Sequence, residues 1–384
     1  MKVVIAPDSF KESLDAMAVA TCIEKGFSEV FPNAEYVKLP LADGGEGTVE
    51  VLLQGLSGEK QVTKVTGPLG EPVEAMWALL NEKDGGKTAL IEIAAASGLD
   101  LITPQQRNPL TATTVGTGET IKAALDAGVS KILLGLGGSA TNDGGAGILQ
   151  ALGAKLLDVT GKELPVGGAA LSSLSEVDLS GIDPRCDKTE FVVACDVSNP
   201  LCGENGASTI FGPQKGATDE NVQDLDKSLA NFADVAEKIT GVNHKNTKGF
   251  GAAGGAPMGL SLAFDIQTKQ GIDMVLDTLN ADEVLEGADL VITGEGQMDN
   301  QTLQGKTPFG IAKRAQERDI PVIGIAGSLG KEVEELYSKM SGIFGTVRSP
   351  QPLAQVLDEA DKNLTRTARN IASILKLGGE RFKN

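Results

Sequence analysis

Apolar and polar positions along this chain follow two rhythms. Residues 3–6 form a short apolar run, 7–13 are polar or turn-forming, and from about 14 to 31 apolar residues return at helical spacing. A short run bounded by turn residues predicts a buried strand, and a repeat of three to four residues predicts an amphipathic helix. A second run at 35–41 completes a β-α-β unit. The same rhythm returns near the other end, with strands at 288–293, 322–326 and 343–347 and helices at 308–318 and 332–340. Strand and helix in alternation predict one parallel sheet assembled from both ends of the chain.

Between these ends the texture changes. Residues 60–94 carry the turn sequences GPLGEP and DGGK, which predict antiparallel strands. Helices at 118–127, 146–152, 220–240 and 255–264 and strands at 131–134 and 191–195 follow. The reading is an α/β protein of two domains. A Rossmann-like parallel-sheet domain comprises 1–62 and 286–384, an α+β domain at 63–285 is inserted in it, and the active site is expected in the cleft between them. A length of 384 residues suits two cores.

Composition narrows the classes. The 48 glycines exceed the usual share of about 7% and follow strands without a short repeat, so they shape turns. A net charge of −18 excludes the basic face that binding to nucleic acid or an anionic membrane requires. The opening lacks a signal-peptide hydrophobic region, and a cytoplasmic setting is expected. Cys22, Cys186, Cys195 and Cys202 contain no Cys-x-x-Cys pair and read as reduced packing residues. His244 is the only histidine, which removes His-rich metal sites and leaves general-base work to Asp, Glu or Lys.

Segments that place glycine and carboxylates directly after apolar runs carry the chemistry: ADGGEG at 42–47, GGSATNDGGAG at 137–147, ACDVSNP at 194–200 and GEGQMD at 294–299. Glycine lets backbone N–H groups approach an anion such as phosphate. Adjacent carboxylates would repel that phosphate unless a cation intervenes, and hard oxygen ligands suit Mg²⁺. Asp43 and Glu46, with Glu295 and Asp299, follow strands of the parallel sheet, where ligands of such folds gather. Asp196 at another strand end suits a general base. Lys11, Lys215 and Lys306, in APDSFKES, FGPQKGA and LQGKTP, are candidates to neutralise phosphate.

Two competing patterns fall short. GKT at 305–307 lacks the P-loop's first glycine, since residue 300 is Asn300. Gly135, Gly137 and Ala140, with Asp158 some way on, fit a loose dinucleotide fingerprint and an NAD(P)-dependent oxidoreductase, but Ser139, Thr141, Asn142 and Asp143 lengthen the loop before its helix. The phosphate and Mg²⁺ reading of that loop is preferred. A tight turn with Asp143 as helix cap is the structural alternative.

Taken in order, VIAPDSFKESL, LADGGEGT, VTGPLGE, AAASGL, GTGE, GGSATNDGGAG, VACDVSNPL, GPQKGA, GAAGG, ITGEGQMDNQT with GKTPFGIA, and IAGSL resemble the type I glycerate kinase (glycerate 2-kinase) family over nearly the whole length. The resemblance implies a transferase that phosphorylates D-glycerate with ATP and Mg²⁺ at the 2-hydroxyl, giving 2-phosphoglycerate. The 3-phospho product, or another small hydroxy acid as acceptor, is the alternative. Asp8, Ser9 and Lys11 match the family's opening motif, with Lys11 meeting the substrate carboxylate or a phosphate. Asp196 first and Asp43 second are assigned as base. Ser139, Thr141 and Asn142 would bind substrate or phosphate, Lys215 and Lys306 would neutralise charge, and Asp143, Glu295 and Asp299 would hold the metal. Val115, Phe250 and Gln297 depart from the pattern, the first two bearing on acceptor size and the third on charge at the phosphate site.

Overall fold

A computed structural model describes residues 1–44, 47–82, 85–304 and 306–381, so Glu46 of ADGGEG and Gly305 of GKT lie outside the described residues. Its strands, in chain order, are β1 (Lys2–Ile5), β2 (Glu35–Lys38), β3 (Gly58–Thr66), β4 (Pro72–Asn81), β5 (Lys87–Glu92), β6 (Lys131–Gly135), β7 (Lys155–Leu157), β8 (Glu176–Asp178), β9 (Glu190–Ala194), β10 (Ile266–Lys269), β11 (Leu290–Met298), β12 (Val322–Leu329) and β13 (Gly342–Gly345). The chain divides into two units, Met1–Leu56 with Ile272–Asn384, and Ser57–Gly271.

The first unit is a five-stranded sheet in the order β13-β12-β11-β1-β2, parallel throughout. Val3, Ile5, Ile292 and Ile325 are fully or almost fully buried and meet Val19, Ile23 and Phe27 of the helix Ala16–Ser28 and Leu364, Ala368 and Ile371 of the helix Ala360–Arg381. The two helices cross closely at Gly26, where a Cβ would lie 2.4 Å from the Thr365 carbonyl oxygen. From β1 the chain runs to β2 on one side, and only much later reaches β11 on the other. That reversal opens a crevice beyond the carboxyl ends of β1 and β11.

The second unit holds a six-stranded sheet, β10-β9-β6-β5-β4-β3, and a β7-β8 ribbon. Strands β5, β6, β9 and β10 are parallel and β3-β4-β5 antiparallel, so this sheet is mixed. One core joins Trp77, Ile91, Leu134, Phe191 and Phe232.

Several expectations shift. The boundaries fall at 56/57 and 271/272, where 62/63 and 285/286 were expected. Gly58 already pairs with Leu80 in the β3-β4 hairpin, and Ile272 packs over Gly310 while Arg314 holds Asp273, Asp277 and Asp282, which ties the helix Gly271–Thr278 to the first unit. GEGQM is strand and not loop, because pairing continues through Gln297↔Ser328 and Met298↔Leu329. The helix expected at 332–340 is a 3-10 segment, Val333–Ser338. The helices Leu353–Asp358 and Ala360–Arg381 were not anticipated. No helix among the described residues is long and apolar enough to cross a membrane.

Candidate active site

The crevice of the first unit contains a cavity of about 410 Å³. Asp8 and Ser9 enter it from the end of β1, Asp43 from beyond β2, and Glu295 and Gln297 from β11 itself. Thr293 Oγ1 donates to the Ala6 carbonyl at 2.8 Å, which fixes β11 beside the β1 end. Lys11 sits at the tip of a tight turn in which Phe10 and Leu14 exchange backbone hydrogen bonds of 2.8 and 2.9 Å. Glu12 completes that turn at φ +63°, a conformation costly for a residue with a Cβ and typical of functional loops.

Two carboxylates here are held by hydroxyls. Thr307 Oγ1 donates to Asp8 Oδ2 at 2.7 Å, and the Ser9 N–H to Asp8 Oδ1 at 2.6 Å. Thr302 Oγ1 donates to Glu295 Oε1 at 2.7 Å, leaving Glu295 Oε2 facing Lys306 Nζ at 3.7 Å. Burial raises the Asp8 carboxyl despite those donors, and the Asp43 charge raises it further. Burial pushes Glu295 up to about 7, against its Thr302 bond and Lys306, with Asp8 and Asp299 adding repulsion. Asp8 and Glu295 thus share one cavity as buried carboxylates, while no group of three or more His, Cys, Asp or Glu placed to hold a metal ion occurs among the described residues. Asp299 itself turns toward a neighbouring depression with Gly330 and Glu332 and accepts from Gln297 Nε2 at 3.0 Å.

The second unit gathers the other candidates. Lys215 is buried and donates to Ser139 Oγ at 2.9 Å and to the Thr141 carbonyl at 2.8 Å. Burial lowers it to about 7, opposed by the Asp143 charge. Asn142 Nδ2 donates to Ser208 Oγ at 2.9 Å, while Thr141 Oγ1 and Asn142 Oδ1 are buried without a hydrogen-bond partner among the described residues. Asp143 is tied into the fold. Its Oδ2 accepts from Thr114 N, Thr114 Oγ1 and Gly147 N, and its Oδ1 from Gly145 N. Four donors from the protein, three on Oδ2 and one on Oδ1, make it an anchor for the start of the helix Ala146–Ala151, beside the metal-ligand role that the sequence suggests. The glycines explain GAAGG as well: a Cβ on Gly254, at φ +65°, would lie 2.0 Å from the Thr141 carbonyl oxygen. Asp196 is exposed two residues beyond β9, and its Oδ1 accepts from the Gly271 N–H at 3.0 Å.

A glycerate kinase family profile matches residues 3–376. The glycerate kinase of Bacillus subtilis (strain 168) is 50% identical over 383 residues, covering 100% of both chains. The glycerate 2-kinase of Escherichia coli (strain K12) is 49% identical over 379 residues, covering 98% of this chain and 99% of that one. The chain belongs to the glycerate kinase family. A crystal structure from Salmonella typhimurium LT2, provisionally assigned as glycerate kinase 2, superposes with a TM-score of 0.89 at 49% identity and covers 99% of each chain. The family makes this chain a kinase, hence a transferase, and the fold class expected from the sequence is the one observed.

For a glycerate kinase the division of candidates is informative. Asp8, Ser9, Lys11, Asp43, Glu295 and Lys306 line one cavity of the first unit, while Ser139, Thr141, Asn142, Asp143, Lys215 and Asp196 belong to the second unit. Sequence reasoning missed Thr302 and Thr307, which aim the carboxylates, and the segment LAQVLD, whose Leu353, Val356 and Leu357 recur at helical spacing and line the cavity. Of the departures from the family pattern, Gln297 lines the cavity, Phe250 stacks on His244 at 4.2 Å within the second core, and Val115 opens the helix Val115–Asp126. Asp158, the acidic residue of the dinucleotide alternative, accepts through Oδ1 from Thr160 and Lys162 in its own turn.

Proposed function

We propose that this chain transfers the γ-phosphoryl group of ATP to the 2-hydroxyl of D-glycerate, giving 2-phosphoglycerate and ADP. The observation that carries the phosphoryl-transfer reading is the cavity at the strand ends, where paired carboxylates and two lysines face one space. The choice of glycerate and of its 2-position draws on the Escherichia coli relative's name. Asp8 and Glu295 would hold Mg²⁺, which when bound offsets the charge of the phosphates. Lys11 binds the substrate carboxylate or a phosphate, and Lys306, released from Glu295, follows the transferred charge. As the 2-oxygen bonds to phosphorus and the bond to the ADP oxygen breaks, the hydroxyl proton passes to a carboxylate, Asp196 first and Asp43 second. Lys215 positions the loop of Ser139, Thr141 and Asn142 for substrate or phosphate. The chain's setting is cytoplasmic, which suits four free cysteines.

The test is ADP release from ATP, Mg²⁺ and D-glycerate, with the product passed to enolase. Conversion by enolase supports the 2-position. Turnover without conversion would mean 3-phosphorylation, and absence of ADP release with glycerate would refute the reading.

A further inference from the structure

The lining of the first unit's cavity is of two kinds: the charged groups Asp8, Lys11, Asp43, Glu295 and Lys306, and an aliphatic and aromatic wall of Phe10, Leu353, Val356, Leu357 and Ala360. Leu353 keeps 68% of its surface exposed at the rim, whereas Phe10 at 4% forms the base of the wall. The helix Leu353–Asp358 is tied to the charged groups, since Ser13 Oγ, in the turn that presents Lys11, donates to the Leu357 carbonyl at 3.1 Å. The floor is pinned by Arg366 Nη2, which donates to the Thr346 carbonyl at 2.8 Å.

Glycerate cannot account for such a wall. Each of its carbons bears oxygen, so it has no apolar face, and a molecule of that size fills only a fraction of about 410 Å³. A ligand matched to this cavity is apolar and flat at one end and polyanionic at the other. Among the reactants of the proposed function only the nucleotide has that form. Ligand sites of this kind are lined largely by apolar side chains, with a few polar groups to fix orientation.

We infer that the wall of Phe10, Leu353, Val356 and Leu357 is the subsite for the purine base of the phosphoryl donor, with the phosphates running toward Lys11 and Lys306. This rests on ATP as donor, and it assigns the first unit to the nucleotide. The base is held by apolar contact along its faces, and the phosphates reach the lysines. Through Ser13 and Leu357 the helix behind the base also steadies the turn behind the phosphates.

Val356→Glu and Leu353→Glu test it, since each places a carboxylate in the wall without touching the charged groups. The readouts are KM for ATP, KM for D-glycerate, and displacement of fluorescent methylanthraniloyl-ADP by ADP and by inorganic tripolyphosphate, which has no base. The expected result is a KM for ATP raised about tenfold or more, with weaker displacement by ADP. The KM for glycerate and the affinity for tripolyphosphate stay within about twofold, as expected for groups the substitutions do not contact. Leu353 is exposed enough to accept charge without loss of fold, which circular dichroism verifies. An unchanged KM for ATP in a folded Leu353→Glu and Val356→Glu pair would overturn the subsite and leave ATP as donor intact. A rise in the glycerate KM instead would hand the wall to the acceptor and overturn it too. Failure of the unaltered protein to turn over ATP would be a failure of the donor reading itself.

Discussion

Replacing Asp143 by alanine separates an anchor from a metal ligand by the sign of its effect. The carboxylate accepts from the N–H groups of Thr114, Gly145 and Gly147 and from the Thr114 hydroxyl, and it is wholly buried. Alanine leaves three buried N–H groups without an acceptor, at about 1–3 kcal/mol each. The hydroxyl can rotate, and it still accepts from the Ile148 N–H at 3.1 Å. Part of the loss is offset because a buried charge is also removed, so the net cost is about 3–5 kcal/mol. Were Asp143 a ligand held ready for a cation, its removal in EDTA would relieve repulsion and stabilise the protein. The single tryptophan reports the outcome. Trp77 is buried in the same unit and donates from Nε1 to Thr63 Oγ1 at 3.0 Å, so its fluorescence follows that unit in urea. The expected midpoint falls by about 1–2 M in EDTA. Asp143→Asn should lose less, because one amide oxygen can still face the three donors of Oδ2. An unchanged or higher midpoint for the alanine variant would refute the anchor.

Two further outcomes follow from the charged groups. Glu295 titrates near 7 in the fold against an ordinary 4.5, so the folded chain holds that proton more tightly than the unfolded one. Stability from this group is complete below about 4.5 and declines as pH rises to about 7, by on the order of 3 kcal/mol. Metal-free protein should therefore lose stability across that window, and Glu295→Gln should flatten the curve; equal pH curves for the two proteins would count against it. Asp196→Asn keeps an acceptor for the Gly271 N–H and removes only basicity, so kcat should fall by about 10²–10⁴ with both KM values retained. Full activity in that variant would pass the base to Asp43.

β1 and the opening stretches of β11 and β12 were legible because strands buried on both faces read as continuous apolar runs. β10 was not, since IQTK holds one apolar residue at an edge. The helix Ala360–Arg381 hides its buried stripe because Ala368 and Ala372 supply part of it and contribute little hydropathy. Motif residues were found, but the hydrogen bonds they make were not. Whether a buried aspartate binds a cation or closes a loop depends on where its lone pairs point, and neighbours such as Thr114 lie far off in sequence. Likewise GEGQM looks like loop, yet Gly294 is required in a strand: a Cβ there would lie 2.3 Å from the Ile325 carbonyl oxygen.

The placement of β1 has a consequence for biosynthesis. Its register partner on one side is β11, with Val3 opposite Leu290 and Ile5 opposite Ile292. A ribosome adding roughly 5–20 residues per second needs roughly 15–60 s to make the intervening chain. For that interval one edge of an apolar strand waits unpaired, while Ser57–Gly271, with all of its sheet encoded within itself, can fold first. The nascent chain thus carries an aggregation-prone edge for most of its synthesis.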